Sequence, residues 1–410
     1  MEILFERCAG LDVHKMTVVA CVRASGPKGG SRTGDTRTFA TTTRGLLELS
    51  QWLQEFGVTH VAMESTGVYW RPVHAILEGS FELLLVNARH VKMVPGRKTD
   101  VRDCEWLAQL MECGLLRGSF IATRPMRDLR DLTRYRKSLI QDRAQHVNRV
   151  AKTLELTGIK LGGVVTDLMG KTGRKILQAL IDGVDDPEQL AALAEGLLRK
   201  KQAALQEAVV GRMTPHYAFL LAQQLAVIDQ LQGHVDELDT RIEAEMLPFA
   251  DTCTRARTIP GVAVRGSQAI IAEIGVDMSR FPTARHLASW AGVCPGNNES
   301  AGKRLSGRTN KGNNWLRTTL NECAWSAVRT RSSYYRALYH RIKTRRGARR
   351  AIVAVEHAML VALWHMLSNG VDHEDLGRDY FDRANKQRIQ RHHVRRLEQL
   401  GFEVALTQAA

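Results

Sequence analysis

Four acidic residues near the N-terminus have types and spacings that suit a site for divalent cations. Asp12 lies in the apolar run CAGLDVHKMTVVACV, Glu64 ends the run THVAMES, and Asp100 and Asp103 lie three apart at the start of a segment with helical spacing. Residues three apart share one face of a helix, and hard divalent cations prefer oxygen ligands. Two such ions can hold the attacking and leaving oxygens of a phosphodiester. The four acids together predict metal-dependent chemistry on a phosphodiester.

The acid pair also has a simpler interpretation. Thr99 or Asp100 could serve only as the N-cap of a helix, with Asp103 favoured in its first turn by the helix dipole. Because Asp12 and Glu64 are placed on predicted strands, the metal site is the better interpretation of the whole set. His14 follows Asp12 by two residues and is a candidate neighbour of the site.

A second motif, GVCPGNNESAGKRLSGRTNKGNNWLR at residues 292–317, is rich in Gly, Asn and cations. Backbone N–H groups and basic side chains in such a loop can bind phosphates. The candidate phosphate-binding residues are Lys303, Arg304, Arg308, Lys311 and Arg317. Ser300 lies in the same loop. No His–Asp pair nearby marks it as a nucleophile, and serines in Gly-rich loops are usually turn formers.

A third motif, TIPGVAVRGSQAIIAEIG, looks like half of a helix-hairpin-helix, whose turn can offer backbone N–H groups to a DNA phosphate. Ala263 stands where a second glycine is usual. A DNA-contacting turn and a purely structural helical hairpin are therefore both open.

The charge of the chain points to a polyanionic partner. The 410 residues carry a net charge of +15, and the stretch from Lys303 to Arg350 holds fourteen Lys or Arg and one acid, Glu322. This concentration predicts a local nucleic-acid surface. Three tyrosines in the stretch, Tyr334, Tyr335 and Tyr339, could stack on unpaired bases or lie in the core of a helical domain.

The compartment is predicted from the cysteines and the N-terminus. Seven cysteines without a CxxC motif support neither a disulfide framework nor a zinc site, which favours a reducing cytoplasm. The N-terminus does not resemble a signal peptide, and we expect no apolar run of membrane length and no membrane partner.

The positions of the acids depend on the elements around them. We predict a hairpin of two strands over 8–23 turning near His14–Met16, a strand at 36–42, a helix at 44–56, a strand at 58–63, a helix at 69–78, a strand at 81–86 and a helix from about 100 to 113. This order predicts an α/β domain, a mixed sheet flanked by helices, over residues 1–125.

The rest of the chain reads as mainly helical: a middle region at 126–250, a third domain at 251–370 and a basic tail at 371–410. In the helix predicted over 216–246, one heptad position holds Leu221, Ile228, Val235 and Ile242. The position three residues later holds Leu231 and Leu238, with Gln224 as the polar exception. This spacing favours a coiled coil that dimerises the chain over a long helix packed inside its own monomer.

Four segments occur in the order LDVHK, MESTGVYW, NARHVKMVPGRKTDVRD and PGNNESAGKR…GRTNKGNNWLR. Over residues 8–370 this resembles the DEDD transposases of the insertion-sequence 110 class. The resemblance implies an RNase-H-like (RuvC-like) N-terminal domain in which Asp12, Glu64, Asp100 and Asp103 bind Mg²⁺, in a two-metal site. It implies that Ser300 attacks the scissile phosphate of DNA and forms a phosphoserine link, with Ser306 as the nearby rival.

The same resemblance implies partners. These are DNA at the element ends and the target, a structured noncoding guide RNA (the bridge RNA), and further copies of the chain as a dimer that joins into a tetramer. A serine from one subunit can then complement the acids of another. The chain departs from the family pattern at Ala301, Ala263 and Cys104. The alternatives are a RuvC-like metal-dependent nuclease or DNA invertase without RNA guidance, and a non-catalytic nucleic-acid-binding regulator.

Overall fold

The computed structural model describes residues 3–25, 32–65, 67–87, 91, 103–296, 298–300, 302–384 and 386–406. The chain divides into two compact units, Met1–Ile121 and Ala122–Ala410. Below they are called unit 1 and unit 2.

Unit 1 is built on a five-stranded mixed sheet. Its strands are β1 (Arg7–Val13), β2 (Thr17–Ser25), β3 (Arg32–Ala40), β4 (His60–Glu64) and β5 (Glu82–Val86). They lie in the order β3-β2-β1-β4-β5. The pairs β1–β2 and β2–β3 are antiparallel, whereas β1–β4 and β4–β5 are parallel. The helices are α1 (Thr43–Glu55), α2 (Trp70–Leu77) and α3 (Asp103–Glu112). The predicted mixed sheet with flanking helices is confirmed.

The two faces of the sheet pack against different helices. Leu11 of β1 and Met63 of β4 lie in the main apolar core, together with Leu49 and Leu53 of α1. Successive residues of a strand point to opposite faces, so Cys8, Gly10 and Asp12 face the other side. There Cys8 clusters with Met111 of α3. Strand β1 is therefore central, with α1 and α2 on one face and α3 on the other.

Helix α3 lies against the backbone of β1 at Gly10. A Cβ atom placed on Gly10 would stand 2.2 Å from the carbonyl oxygen of Cys104 and 2.4 Å from the nitrogen of Ala108. No side chain fits into that space, which is the usual reason for a glycine inside a buried strand. At its other end α3 is held by Glu112, which accepts a 2.9 Å bond from Nε of Arg23 on β2.

Unit 2 is helical apart from one short hairpin. Its first helices are α4 (Arg124–Thr157), α5 (Leu161–Val164), α6 (Lys171–Ile181), α7 (Pro187–Ala192), α8 (Gln202–Val209), α9 (Pro215–Met246), α10 (Ala250–Ala256), α11 (Val264–Ile274) and α12 (Ala284–Ala291). The hairpin is β6 (Asn298–Ser300) and β7 (Lys303–Ser306). The last helices are α13 (Asn314–Arg329), α14 (Tyr334–Arg346), α15 (Ala348–Asn369), α16 (Tyr380–Ala384) and α17 (Lys386–Glu398).

The two longest helices, α4 and α9, pack side by side in opposite directions. Gln224 of α9 donates to Oγ1 of the buried Thr153 at 3.1 Å. Further along, Arg143 donates to Gln232 at 2.6 Å, and Arg136 pairs with Asp239. The partner number rises on α9 as it falls on α4, so the pair is antiparallel.

The heptad residues of α9 (Leu221, Ile228, Val235 and Ile242) are buried within the chain itself. The seam is therefore filled by the chain's own helices, as the second sequence interpretation predicts. The polar exception Gln224 sets the register by its bond to Thr153, a role that polar residues in such seams often have. Dimerisation through this region stays a prediction.

A buried carboxylate, Glu273 of α11, joins three helices of unit 2. It is 2% exposed. Arg134 of α4 donates to its two oxygens at 2.6 and 2.8 Å. Asn313 donates to it at 2.6 Å, and the same Asn313 caps α13 by accepting from the N–H groups of Trp315 and Leu316. The start of α13 is thereby fixed to α4 and α11.

Helix α15 is the one described helix long and apolar enough to cross a membrane, so the expectation of no apolar run of that length is corrected. Its apolar side chains, among them Val355, Met359 and Leu363, are buried inside unit 2. It packs against α12, α13 and α14. The burial and packing of α15 are those of a core helix.

We predict that Gly10→Ala lowers the free energy of unfolding of unit 1 by about 1–3 kcal/mol, because the added methyl group collides with the backbone of α3. Gly34→Ala is the matched control. It lies on β3, and the nearest atom to its Cβ would be the oxygen of Val22 at 3.8 Å. Urea unfolding of both variants measures the difference. Equal stabilities would contradict the close approach.

Removing the carboxylate of Glu273 leaves Arg134 without its buried partner. We predict that Glu273→Ala costs about 3–5 kcal/mol of unfolding free energy, as expected when one partner of a buried ion pair is lost. Glu322→Ala is the control. It removes the partner of Lys137, which lies on α4 like Arg134, but the Glu322 side chain is 59% exposed. That control should cost about 1 kcal/mol or less. A loss of similar size in both variants would show that the Glu273 cluster adds nothing special.

Candidate active site

The sheet brings two of the predicted acids together at the end of two neighbouring strands. Leu11 of β1 pairs with Met63 of the parallel strand β4. Asp12 and Glu64 each follow by one residue, so they lie at adjacent positions on strands that are about 4.8 Å apart. Because Leu11 and Met63 face the α1 core, Asp12 and Glu64 face α3. Both are partly exposed.

The third acid, Asp103, begins α3 and is exposed in its first turn. Its neighbour Cys104 is the residue whose carbonyl approaches Gly10, two residues before Asp12 on the same face of β1. Burial raises the pKa of the Cys104 thiol to about 12, and the charge of Asp12 also contributes to the increase. Helix α3, which begins at Asp103, thus packs on the face of the sheet that carries Asp12 and Glu64.

The fourth acid, Asp100, lies outside the described residues. Within the described residues, no three His, Cys, Asp or Glu side chains form a group that could hold a metal ion. Nε2 of His14 lies 3.0 Å from Oδ2 of Asp12, so the neighbour expected from the sequence does contact that acid. The donors present are carboxylates in a polar, partly exposed place, which suits Mg²⁺.

Ser300 lies at the tip of a narrow hairpin. It ends β6 and pairs with Lys303, the first residue of β7. Gly302, which lies between them in the sequence, has φ +74°. Below the tip, Pro295 bridges to Thr309, and the N–H of Gly296 donates to the carbonyl of Arg308 at 2.8 Å. The side chain of Ser300 lies outside the described atoms, but the backbone presents this residue at the far end of the arm.

Two glycines close the base of this hairpin. A Cβ on Gly312 would stand 2.5 Å from the Cα of Gly292, and one on Gly292 would stand 2.8 Å from the Cα of Gly312. Both have positive φ, +77° at Gly292 and +51° at Gly312. Asn313 follows at once and binds Glu273. The arm that carries Ser300 therefore starts and ends on a fixed base.

The predicted phosphate-binding residues differ in their surroundings. Lys303, Arg308 and Lys311 are exposed along the hairpin. Arg317 lies on α13 and is half-buried, with one guanidinium N–H directed to the carbonyl of Lys311 at 3.4 Å. The side chain of Arg304 lies outside the described atoms. Ser306, the rival serine, accepts a 3.1 Å bond from the N–H of Arg308 and so shapes the loop.

The turn of the helix-hairpin-helix-like segment is packed against a neighbouring helix. A Cβ on Gly261 would stand 2.4 Å from the carbonyl oxygen of Cys323 and 2.5 Å from the nitrogen of Ala327, both on α13. Ile259 and Val262 beside it are buried. Packing on α13 accounts for this glycine, which favours the structural interpretation of the motif.

Two of the three tyrosines belong to the core, and the third is partly buried against the tail. Tyr335 and Tyr339 are 1% and 5% exposed. Tyr334 contacts the rings of Tyr380 and Phe381 in the tail, each at 5.3 Å between centroids. The tail segment that the sequence left unassigned is thus fastened to α14.

Sequence reasoning missed two residues that position the candidate site. Gly10 could have been found, because a glycine inside a strand pattern signals a close backbone approach. Asn313 could have been identified as an N-cap, since Asn just before a helix favours that position. Its bond to Glu273 had no signal in the sequence, because the two lie forty residues apart and meet only in the fold.

Comparison with known proteins identifies two matched segments. Residues 9–159 match a model of the DEDD transposases of the IS110 type, and residues 253–340 match the transposase family IS116/IS110/IS902. The first segment contains the strands and helix that carry the acids, and the second contains the Ser300 hairpin.

Relatives with similar sequences extend the comparison. An uncharacterised 42 kDa protein of insertion element IS900 from Mycobacterium paratuberculosis is 27% identical over 322 residues, 70% of this chain and 78% of the relative. The y4qE protein of Sinorhizobium fredii, whose name presents it as a candidate transposase, is 24% identical over 368 residues, 88% of this chain and 82% of the relative. The two matched segments together cover more than half of the chain, which therefore belongs to the IS110 family of transposases.

Proposed function

We propose that this transposase cuts and rejoins DNA through a covalent phosphoserine at Ser300, with Asp12, Glu64, Asp100 and Asp103 holding Mg²⁺. The observation that carries the proposal is the strand register, which sets Asp12 beside Glu64 on the face where α3 begins at Asp103. Neighbouring carboxylates repel one another, and bound cations would relieve that repulsion.

Bound Mg²⁺ would supply electrostatic stabilisation of the charge that develops on the phosphodiester oxygens. The chain's own contribution is to hold the carboxylates in place. Strands β1 and β4 fix Asp12 and Glu64, and the packing of α3 on Gly10 fixes Asp103. His14 keeps one oxygen of Asp12 oriented through its 3.0 Å contact.

The serine reaction conserves a phosphodiester bond. Oγ of Ser300 attacks the scissile phosphorus and loses its proton, an Oγ–P bond forms, and the P–O bond to the departing sugar breaks as that oxygen takes up a proton. A hydroxyl of another DNA end then attacks the phosphoserine in the reverse sense and rejoins the strands. The hairpin tip suits this role, because a residue at the end of a narrow arm can approach a strand of DNA. Lys303, which pairs with Ser300, lies beside it to contact phosphate.

RNA guidance and assembly complete the proposal. By resemblance, a structured noncoding RNA selects the donor and target DNA, and copies of the chain assemble as a dimer and then a tetramer. The net charge of +15 supports a polyanionic partner, although charge by itself does not distinguish RNA from DNA.

A covalent-adduct assay tests the serine. The protein, Mg²⁺, DNA spanning an element end and RNA transcribed from the element's flanks are mixed and run on a denaturing gel. We expect adducts with the unaltered chain and their loss in Ser300→Ala, since no other hydroxyl occupies the hairpin tip. Ser306→Ala is the matched control, because Ser306 bonds to the N–H of Arg308 within the same hairpin. It should retain adducts.

The acids and the RNA are tested in the same assay. Asp12→Asn removes a charge at nearly constant size and should abolish adducts, and omission of the RNA should do the same. DNA cleavage without adducts that persists in Ser300→Ala would instead indicate a hydrolysing RuvC-like nuclease. Adducts that form without RNA would remove the guidance from the proposal.

A further inference from the structure

The cations of unit 2 fall into two groups according to their partners. Several cations of α4 pair with acids of other helices: Arg134 binds Glu273 and Arg136 binds Asp239. On the same helix Lys137 pairs with Glu322. These ion pairs hold the fold together and balance part of the charge of the helix from within. Helix α4 is therefore a weak candidate for a nucleic-acid surface, despite its composition.

The second group lies where α14 ends and α15 begins, and is called here the basic corner. Its members are Arg341, Lys343, Arg345, Arg346, Arg349 and Arg350, all exposed. No acidic residue occurs between Glu322 and Glu356 in the sequence. Among the described residues no acidic side chain pairs with any of the six. Gly347, with φ +81°, turns the chain at the centre of the corner.

The helix dipoles account for only part of this charge. Lys343, Arg345 and Arg346 lie in the last turn of α14, where cations are favourable. Arg349 and Arg350 lie in the first turn of α15, where the dipole disfavours cations and no acid compensates. Like charges held together against a dipole and without counter-charge indicate that the compensating anion comes from outside the chain.

The described residues of the tail do not neutralise the corner. Three of the tail's acids contact other groups: Asp372 pairs with Arg255, Asp375 accepts from the N–H of Tyr334, and Asp379 pairs with Arg383. The tail touches the corner through an aromatic ring, since the guanidinium of Arg341 lies 4.7 Å from the ring centre of Phe381. This contact orients Arg341 without neutralising it.

We propose that the basic corner is a second nucleic-acid surface, distinct from the Ser300 hairpin, that binds the phosphate backbone of duplex DNA. Duplex is favoured over single strands because the tyrosines of α14, which could have stacked on unpaired bases, are buried or packed against the tail. Arginine predominates, and its planar guanidinium matches phosphate oxygens. The proposal does not depend on the phosphoserine chemistry.

The test compares two triple variants with the same change in net charge. Arg346→Gln, Arg349→Gln and Arg350→Gln remove three cations of the corner. Lys171→Gln, Lys200→Gln and Lys201→Gln remove three exposed cations from the α6–α8 region of unit 2. Binding of each full chain to a duplex DNA of arbitrary sequence is measured by fluorescence anisotropy over a salt titration, without Mg²⁺ or RNA.

Log affinity falls as log salt rises, and each phosphate contact contributes about −0.9 to that slope. We therefore expect the slope of the corner variant to be less steep by about 3. The control variant should change it by less than about 1. Replacing the same three arginines by lysine should retain most of the slope. Because binding is measured without Mg²⁺ or RNA, failure of the serine chemistry would not be mistaken for failure of the corner.

Three outcomes would overturn the proposal. Equal losses in the two triple variants would mean that only net charge matters. If the corner variant kept its affinity for duplex DNA but lost affinity for double-stranded RNA in the same titration, the corner would be assigned to RNA. An unchanged slope in the corner variant, with thermal melting confirming that it is folded, would show that these cations do not contact DNA.

Discussion

Unit 1 depends on the contact between one glycine and one helix. At Gly10 the backbone of β1 runs so close to α3 that a single methyl group would lie 2.2 Å from a carbonyl oxygen of the helix. The position of α3 over the sheet follows from this approach, and with it the position of Asp103 relative to Asp12. A backbone contact of this kind fixes the helix more firmly than flexible side chains would, because it leaves no space into which the helix could shift.

Unit 2 solves a similar problem with charge instead of close packing. Glu273 is buried, and such a carboxylate is tolerated only when its oxygens are paired. Arg134 and Asn313 provide those partners. The arrangement links a long helix to the residue that caps α13, directly after the hairpin that carries Ser300. The Ser300 hairpin thus starts from a base fixed by hydrogen bonds and by the Gly292–Gly312 contact.

The distribution of charge in unit 2 separates structure from recognition. Arginines of α4 look in the sequence like the basic stripe of a nucleic-acid-binding helix, yet several of them meet acids of other helices. The arginines of the basic corner look no different in the sequence and meet none among the described residues. Net charge therefore indicates a polyanionic partner. The pattern of internal ion pairs shows which cations are left to bind it.

The sequence by itself determined the order and type of elements in unit 1, because alternating and helical periodicity are local and the apolar faces were unambiguous. It also singled out Asp12, Glu64, Asp103 and the Ser300 loop, since acids in apolar strands and glycines in a basic loop are visible without a fold. The catalytic roles of these residues, and the dimerisation of the chain, stay predictions.

Only the tertiary structure decided which strands are neighbours, and therefore that Asp12 lies beside Glu64, because register depends on contacts between residues some fifty positions apart. It also decided that the heptad seam of α9 packs within the chain. The same apolar stripe could be buried against a helix of its own chain or against a helix of a second copy. The pairing of α4 with Glu273 and Asp239 was hidden for the same reason: an ion pair between distant residues leaves no periodic trace in the sequence.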